Sequence, residues 1–320
     1  GADFEGVGRE LALAKKRGRE THGLEGGGVF AERKQRGVVG EDGRARGAAA
    51  DARERGVGKM FRVVGGERGI GREIAKEGER LETPEQVDAL FTLGGDGTLL
   101  RGARFLNGRT VPILGINLGR LGFLTACSAE EFVTGVRRFA SGDFVSEPRM
   151  ALESCALDRD GLERCSWLSL NDVVLHKGGF ARVVKFTVFV DDEAIGSYSA
   201  DGLVVSTPTG STGYSLSAGG PIVVPTVESI VLTPVSPHTL AMRPLVLPPQ
   251  VEVKVRADDG PEELLVTIDG QVGTTFTGGE TLVVRRARNP VQIVRFPGTT
   301  FFTRLRRKLG WGGLSERDGE

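Results

Sequence analysis

The run FTLGGDGTLLRGARF, residues 91–105, breaks an apolar segment with a Gly94-Gly95-Asp96-Gly97-Thr98 corner and leaves through a Leu/Arg/Ala segment. At a strand-to-helix corner, glycines let backbone N–H groups approach an anion closely, and the helix N-terminus adds positive potential. Asp96 at the centre can serve as a general base, a magnesium anchor or an acceptor for a ribose hydroxyl. The same corner also reads as a tight turn in which Asp96 caps the helix. Two leading glycines and the following Thr98 tilt the reading toward function. Neither the G-x-G-x-x-G dinucleotide fingerprint nor the GxxxxGK[ST] phosphate loop occurs here, so no lysine accompanies the glycines.

A second cluster, LGINLGRLGFLT at 114–125, sets Asn117 and Gly119 just past an apolar strand, on the side where the GGDGT corner lies. Phe123 offers a face on which a base can stack, although taken alone it is better read as core. The third cluster is DGLVVSTPTGSTGYSLSAGGPIV at 201–223. Asp201 starts a strand that empties into Thr207-Pro208-Thr209-Gly210-Ser211-Thr212-Gly213-Tyr214. Hydroxyls and glycines at this density can direct hydrogen bonds to a polar, planar ligand. The bland reading is an irregular Ser/Thr-rich turn. Upstream, Asn171-Asp172 open the run VVLHK, and an adjacent amide and carboxylate can read adenine edges or ribose hydroxyls, or simply cap a turn. His176 and His238 stand apart, with no nucleophile–base pairing legible. Arg101, Arg104 and the RLRRK run at 304–308 read as solvated or paired surface charges.

These groups need elements to hold them. VDALFTL at 87–93 reads as an apolar strand of the kind buried on both faces of a parallel sheet. A helix follows the GGDGT corner to about Phe105, then VPILGIN at 111–117 forms a second buried strand. EEFVTGVRRFA at 130–140 is an amphipathic helix. This rhythm indicates an open α/β sheet whose ligand loops lie at the carboxyl ends of the strands. Beyond Ser141-Gly142-Asp143 the runs ALESCAL, VVKFTVFVD, LVVST, SIVLTP, QVEVKV, LLVTIDG, TLVVRR and VQIVRF alternate between Gly, Pro and Asp turns. The expected fold class is α/β plus all-β: an amino-terminal Rossmann-like open α/β lobe and a larger, mainly antiparallel β carboxyl-terminal lobe. FFTRLRRKLGW at 301–311 reads as a closing helix. The expected divisions are a glycine-rich, poorly patterned or partly disordered region at 1–84, the α/β lobe at 85–142, the β-rich lobe at 143–290, and a closing strand and helix at 291–320.

The first 80 residues hold 19 of the 48 glycines and few large apolar residues, so they bury little surface to offset their ordering entropy. A faint helical stripe runs through Phe4, Val7 and Leu11, and KMFRVV at 59–64 is a weak strand reading. The whole chain of 320 residues is 39% hydrophobic and 26% charged, which predicts two lobes of ordinary globular composition. Its formal net charge of zero argues against nucleic-acid binding driven by overall charge. Cys127, Cys155 and Cys165 show neither zinc-knuckle spacing nor a disulfide framework, which fits a reducing, cytoplasmic setting. No apolar run approaches the roughly 18 residues needed to span a bilayer. GADFEGVGRE lacks the layout of a signal peptide, and Gly1 in place of Met points to a trimmed or fragmentary start.

Taken together, these stretches resemble NAD kinase, the family that phosphorylates the 2′-hydroxyl on the adenosine ribose of NAD to make NADP. LGGDGTLL, LGINLGRLGFLT, LNDVVLHKG and DGLVVSTPTGSTGYSLSAGGPIV look like four family motifs in their expected order. TPVSPHTLAMRPLVLP at 233–248, IDGQ at 268–271 and FFTRLRRKLGWGG resemble later ones, so the likeness covers about residues 85–313. GGDGT alone is shared with diacylglycerol and sphingosine kinases, and the 201–223 block decides for the NAD enzyme. A lipid kinase of the diacylglycerol type, or a non-catalytic NAD(P)-binding regulator, are the competing readings.

The resemblance implies that Asp96 contacts the acceptor ribose and receives, or helps to receive, the hydroxyl proton. It implies that Gly95 and Gly97, with Thr98 and Asn117 close by, line the phosphate path and that Phe123 packs by the adenine. Asn171 and Asp172 would hold the NAD, and Asp201 would lie near its nicotinamide side. Thr209, Thr212, Tyr214 and Ser217 would line the adenine and ribose pocket. ATP with Mg²⁺ would supply the phosphate, with no residue assigned as a dedicated metal ligand. The implied partners are NAD and ATP, with no nucleic acid and no membrane, in a cytoplasmic homodimer or homotetramer. Three departures from the family stand out: Asp172 where many members have Glu, Gly213 where Ala is usual, and no clear strand and helix shortly before GGDGT.

Overall fold

The structure, a computed structural model, describes residues 28–31, 63–65, 88–119, 122–178, 184–238, 241–258 and 264–311. The stripe at Phe4, Val7 and Leu11 lies outside these residues, as does most of KMFRVV, of which 63–64 fall in a described strand. The chain divides into two compact units, one built from residues 1–105, 111–147 and 292–320, the other from 106–110 and 148–291.

The first unit carries a mixed sheet. Its strands are β1 (Gly28–Ala31), β2 (Val63–Gly65), β3 (Leu90–Leu93), β4 (Pro112–Asn117), β5 (Cys127–Ser128), β6 (Val145–Arg149) and β19 (Val291–Arg295). Their order is β1-β2-β3-β4-β19-β6, with β5 beside β4. Strands β2 and β4 run parallel to β3, and β19 runs parallel to β4. All four residues of β3 are buried, which is why its sequence is a continuous apolar run rather than an alternating one. The helix Asp96–Leu106 leaves β3 directly and buries Leu99, Ala103 and Leu106, one stripe at helical spacing. The helix Phe132–Ala140 buries Phe132, Gly135 and Phe139. There Phe139 meets Phe91 edge-on at 4.9 Å between centroids, in a cluster with Leu93, Leu114, Ile116 and Val294. The closing helix Phe301–Leu309 is capped by Thr300, whose hydroxyl accepts from Thr303 N–H, and ends on Gly310 in the left-handed region at φ 64°.

The second unit consists of two six-stranded antiparallel sheets. One contains β7 (Leu152–Leu157), β8 (Glu163–Ser169), β10 (Val184–Val190), β11 (Glu193–Ala200), β15 (Val253–Ala257) and β18 (Thr281–Arg286), ordered β11-β10-β15-β18-β7-β8. The other contains β9 (Asp172–Lys177), β12 (Gly202–Ser206), β13 (Ile230–Val235), β14 (Leu245–Leu247), β16 (Leu264–Ile268) and β17 (Val272–Phe276), ordered β14-β13-β12-β9-β16-β17. Leu152, Phe186, Val188 and Val284 from the first share one buried cluster with Val173, Leu175, Val205 and Val266 from the second. That cluster is what a pair of sheets packed face to face produces. Strand β9, which starts at Asp172 just after Asn171, and β12, which empties into the Thr207–Tyr214 segment, pair in register with Ser206 opposite Asp172. Among the described residues no helix is long and apolar enough to cross a membrane.

Candidate active site

The GGDGT corner joins β3 to its helix as the sequence suggested, but its aspartate does not cap that helix. Gly94 has φ 156°, its N–H donates to Ile116 C=O at 2.9 Å, and a Cβ there would fall 2.1 Å from Thr98 Oγ1. Thr98 is thus folded over Gly94, and only glycine fits beneath it. Gly95 is exposed and a Cβ on it would meet open space, so its backbone is approachable by a ligand. The Asp96 carboxylate reaches instead to a loop 27 and 28 residues onward. Oδ2 accepts from Phe123 N–H at 2.7 Å and Oδ1 from Leu124 N–H at 3.0 Å. The loop comes so close because residue 122 has no side chain: a Cβ at Gly122 would sit 1.9 Å from Asp96 Oδ1. Each carboxylate oxygen has a further lone pair with which to meet a hydroxyl.

The carbonyl side of the same loop is gripped by two arginines. Arg295 donates to Phe123 C=O at 2.8 Å, Leu124 C=O at 2.7 Å and Thr125 C=O at 3.1 Å. Arg304 donates to Gly122 C=O at 3.1 Å and Thr125 C=O at 2.5 Å. Arg304 is only 4% exposed, which corrects the reading of the whole RLRRK run as surface charge. The helix turns this one member of the run inward beside buried Leu305, while Arg306, Arg307 and Lys308 are exposed. Arg101 is exposed, as expected.

Asn117 and Phe123 flank the corner. Asn117 is 2% exposed, and its Oδ1 accepts from Gly119 N–H at 3.1 Å. Its Nδ2 is buried without a hydrogen-bond partner, a donor held ready for an acceptor. The Phe123 ring is half-buried and lies 6.3 Å from the Phe301 ring.

In the second unit, many hydroxyls of the Thr207–Tyr214 segment are consumed in building the turn. Thr207 Oγ1 donates to Leu170 C=O at 2.6 Å and accepts from Gly210 N–H at 3.0 Å. Ser211 Oγ donates to Pro208 C=O at 2.7 Å, and Thr212 Oγ1 donates to Thr209 C=O at 3.3 Å. Buried Thr209 accepts from the Nη1 of an equally buried arginine, Arg149, at 3.2 Å. Tyr214 and Ser217, on a short helix Tyr214–Ser217, are exposed.

Asn171 and Asp172 abut this turn. Thr207 N–H donates to Asn171 C=O at 2.9 Å, and a Cβ on Gly213 would lie 3.9 Å from Asn171 Nδ2 and 4.0 Å from Asp172 Oδ2. Behind them Asp269 accepts the backbone N–H groups of Leu170 at 3.4 Å, Asn171 at 2.8 Å and Asp172 at 3.3 Å. Asp172 is buried, and that burial, followed by the facing charge of Asp269, pushes its carboxyl up from 3.8 to about 7. Asp201 is not part of this group. It lies at the opposite end of β12 from the turn, about 17 Å away along five residues of strand. There it pairs with Lys177 Nζ at 2.8 Å. Asp269, Arg149, Arg295 and Arg304 escaped the sequence reading. Asp269 stood in the IDGQ stretch, but a buried arginine looks in sequence like any other.

Among the described residues there is no group of three or more His, Cys, Asp or Glu able to cage a metal ion. A cation that arrives on nucleotide phosphates needs only one or two carboxylates from the protein. The lone Asp96 at an open glycine corner fits that requirement.

Comparisons with known proteins agree across both units. Residues 72–144 match the family model described as the ATP-NAD kinase N-terminal domain, and 170–296 match the ATP-NAD kinase C-terminal domain. The chain is 78% identical over 248 residues to an NAD kinase of Gemmatimonas aurantiaca, covering 78% of this chain and 86% of that protein. It is 44% identical over 253 residues to the NAD kinase of Geobacter sulfurreducens, covering 79% of this chain and 86% of that one. Yeast NADH kinase, solved with NADH, superposes with a TM-score of 0.68 at 29% identity over 72% of this chain and 69% of its own. The NAD kinase of Archaeoglobus fulgidus, solved with ATP, does so with a TM-score of 0.59 at 29% identity over 76% and 92%.

Proposed function

Because the chain belongs to the ATP-NAD kinase family and phosphorylates NAD at the expense of ATP, we propose a division of labour among its residues. Asp96 is the group that takes the proton from the 2′-hydroxyl of the adenosine ribose. The observation that carries this reading is its carboxylate, oriented by two backbone N–H groups at an approachable glycine corner. Phosphoryl transfer depends on alignment and charge neutralisation more than on covalent chemistry. A carboxylate is a weak base toward an alcohol, so Asp96 acts late, as the new oxygen–phosphorus bond forms and ADP departs. Mg²⁺, carried on the phosphates beside Asp96, would neutralise part of their charge.

The remaining groups bind and orient. Exposed Gly95 and Gly97 give the phosphates access to backbone N–H groups, with Thr98 and the unpartnered Nδ2 of Asn117 nearby. Half-buried Phe123 presents a ring for the adenine. Asn171 and Asp172, fixed from behind by Asp269, hold the dinucleotide with Thr209, Thr212, Tyr214 and Ser217, while Asp201, at the far end of its strand, is assigned to the nicotinamide side on the family resemblance alone. A cytoplasmic homodimer or homotetramer completes the proposal and rests on the family resemblance.

Incubation with ATP and Mg²⁺ and, separately, NAD, NADH and diacylglycerol tests the function directly. NADP or NADPH is the expected product; phosphorylated lipid instead, or tight dinucleotide binding with no product, would refute it. Gly122→Ala tests the geometry at Asp96. The added methyl occupies the place of a carboxylate oxygen, so the side chain must rotate off its two donors. Turnover is expected to fall about tenfold or more, with KM for NAD within about threefold. Unchanged turnover would mean that the observed orientation is not the working one.

A further inference from the structure

We propose that Arg295 and Arg304 are positioning residues for Asp96, acting through the two peptide groups that link Gly122, Phe123 and Leu124. The inference rests on the assignment of Asp96 as proton acceptor. Each of these peptides has a cation at its carbonyl end and the Asp96 carboxylate at its N–H end. In the first, Gly122 C=O accepts from Arg304 Nη1 at 3.1 Å, while Phe123 N–H donates to Asp96 Oδ2 at 2.7 Å. In the second, Phe123 C=O accepts from Arg295 Nη2 at 2.8 Å and Arg304 Nη1 at 3.4 Å, while Leu124 N–H donates to Asp96 Oδ1 at 3.0 Å.

A guanidinium on a carbonyl polarises the peptide and strengthens its N–H as a donor, because linked hydrogen bonds reinforce one another. The two arginines therefore steady the carboxylate from one peptide away and leave its outward lone pairs to the substrate. A direct ion pair would occupy those lone pairs. The grip is rigid as well as charged. Leu124 and Thr125 C=O are held too, and Glu147 Oε2 lies 3.0 Å from Arg295 Nε, fixing the plane of that guanidinium. Arginine suits the task because its donors form a planar fork that can span neighbouring carbonyls, which lysine cannot reproduce.

A purely structural staple, tying β19 and the closing helix to the loop, would stabilise the fold without regard to Asp96. A double-mutant cycle on the full chain separates the two. Arg304→Gln and Arg295→Gln are each expected to lower kcat about tenfold with KM for NAD and ATP within about threefold, and to change kcat less than about twofold in an Asp96→Asn background. Arg304→Lys should recover only part of the loss. Equal losses in both backgrounds, or losses confined to KM, overturn the proposal. Should Arg304→Gln fail to fold, Arg295→Gln and Arg304→Lys are read by the same cycle. Wild-type turnover in the Asp96→Asn single variant would remove the premise and the proposal together, and that arm identifies this outcome by itself.

Discussion

An Asp96→Asn variant is expected to turn over at least about 10²-fold more slowly, with KM for NAD held within about threefold. The substitution removes the proposed proton acceptor while keeping nearly the same volume, so the nucleotide is expected to bind still. It also has a local cost that follows from the hydrogen bonds. In the native protein both oxygens accept, one from Phe123 N–H and the other from Leu124 N–H. The asparagine amide can satisfy one of these donors, but its nitrogen then faces the other, donor against donor. One broken bond of this type costs about 1–3 kcal/mol, so a modest fall in melting temperature accompanies the loss of turnover. Steady-state kinetics and a thermal melt on the same sample separate the two effects. Near wild-type turnover would dismiss Asp96 as the base whatever the melt shows. Gly122→Ala, which displaces the carboxylate without removing it, gives the loss that misplacement alone produces, and any further loss in Asp96→Asn measures the missing base.

The interior of the fold was written in the sequence and its edges were not. In the second unit the eight interior strands coincide with apolar or alternating runs, because each buries side chains on at least one face over several residues. The four edge strands, Glu163–Ser169, Glu193–Ala200, Leu245–Leu247 and Val272–Phe276, were missed. They bury little: Glu193–Ala200 has one fully buried residue in eight, and Val272–Phe276 one in five. A strand whose stability comes from ladder hydrogen bonds on one side leaves a weak pattern in its side chains.

The same distinction governs the site. The acidic and hydroxyl groups stand in dense local motifs, so Asp96, Asn171, Asp172 and the Thr207–Tyr214 turn were legible as candidates. What holds them comes from far away in the chain. Asp269 reaches the amides of Leu170 to Asp172 from nearly a hundred residues onward, and Arg295 and Arg304 reach the 122–125 loop from 170 or more. Spacing in sequence carries no trace of such contacts. Arg304 was misread because helical periodicity marks apolar faces, and a charge on such a face defaults to solvent in any local reading. The resemblance to a family supplied roles for the motif residues and none for these supporting ones.

Asp172→Asn is expected to stabilise the protein and to weaken its hold on NAD, and both effects depend on pH. Asp172 is 5% exposed and faces Asp269, so its carboxyl is raised from 3.8 to about 7. A carboxyl whose pKa is raised on folding is harder to ionise in the folded state, so ionisation costs stability. Below about pH 4 both the folded and unfolded chains carry the proton and Asp172 has no net effect. As pH climbs from about 4 to 7 the unfolded chain ionises first, so stability drains away through that window and stays low above it. Asparagine cannot ionise, and it is expected to raise stability by about 2–4 kcal/mol at pH 8, with the gain fading toward pH 4. Binding runs the opposite way. In the role proposed for it, an ionised Asp172 would accept hydrogen bonds from NAD, so KM for NAD in the unaltered protein is expected to rise about tenfold between pH 8 and pH 6 as the proton returns. In the variant KM is expected to be about 10- to 10²-fold higher at pH 8, the cost of losing a charged acceptor, and flat with pH. Melts and steady-state kinetics across pH 5 to 8.5 check both halves. A pH-independent difference in melting temperature would show that Asp172 is not the group strained by burial. An unchanged KM would show that the strained carboxylate is kept for something other than NAD. If both halves hold, the protein keeps a destabilising charge because its ligand needs it.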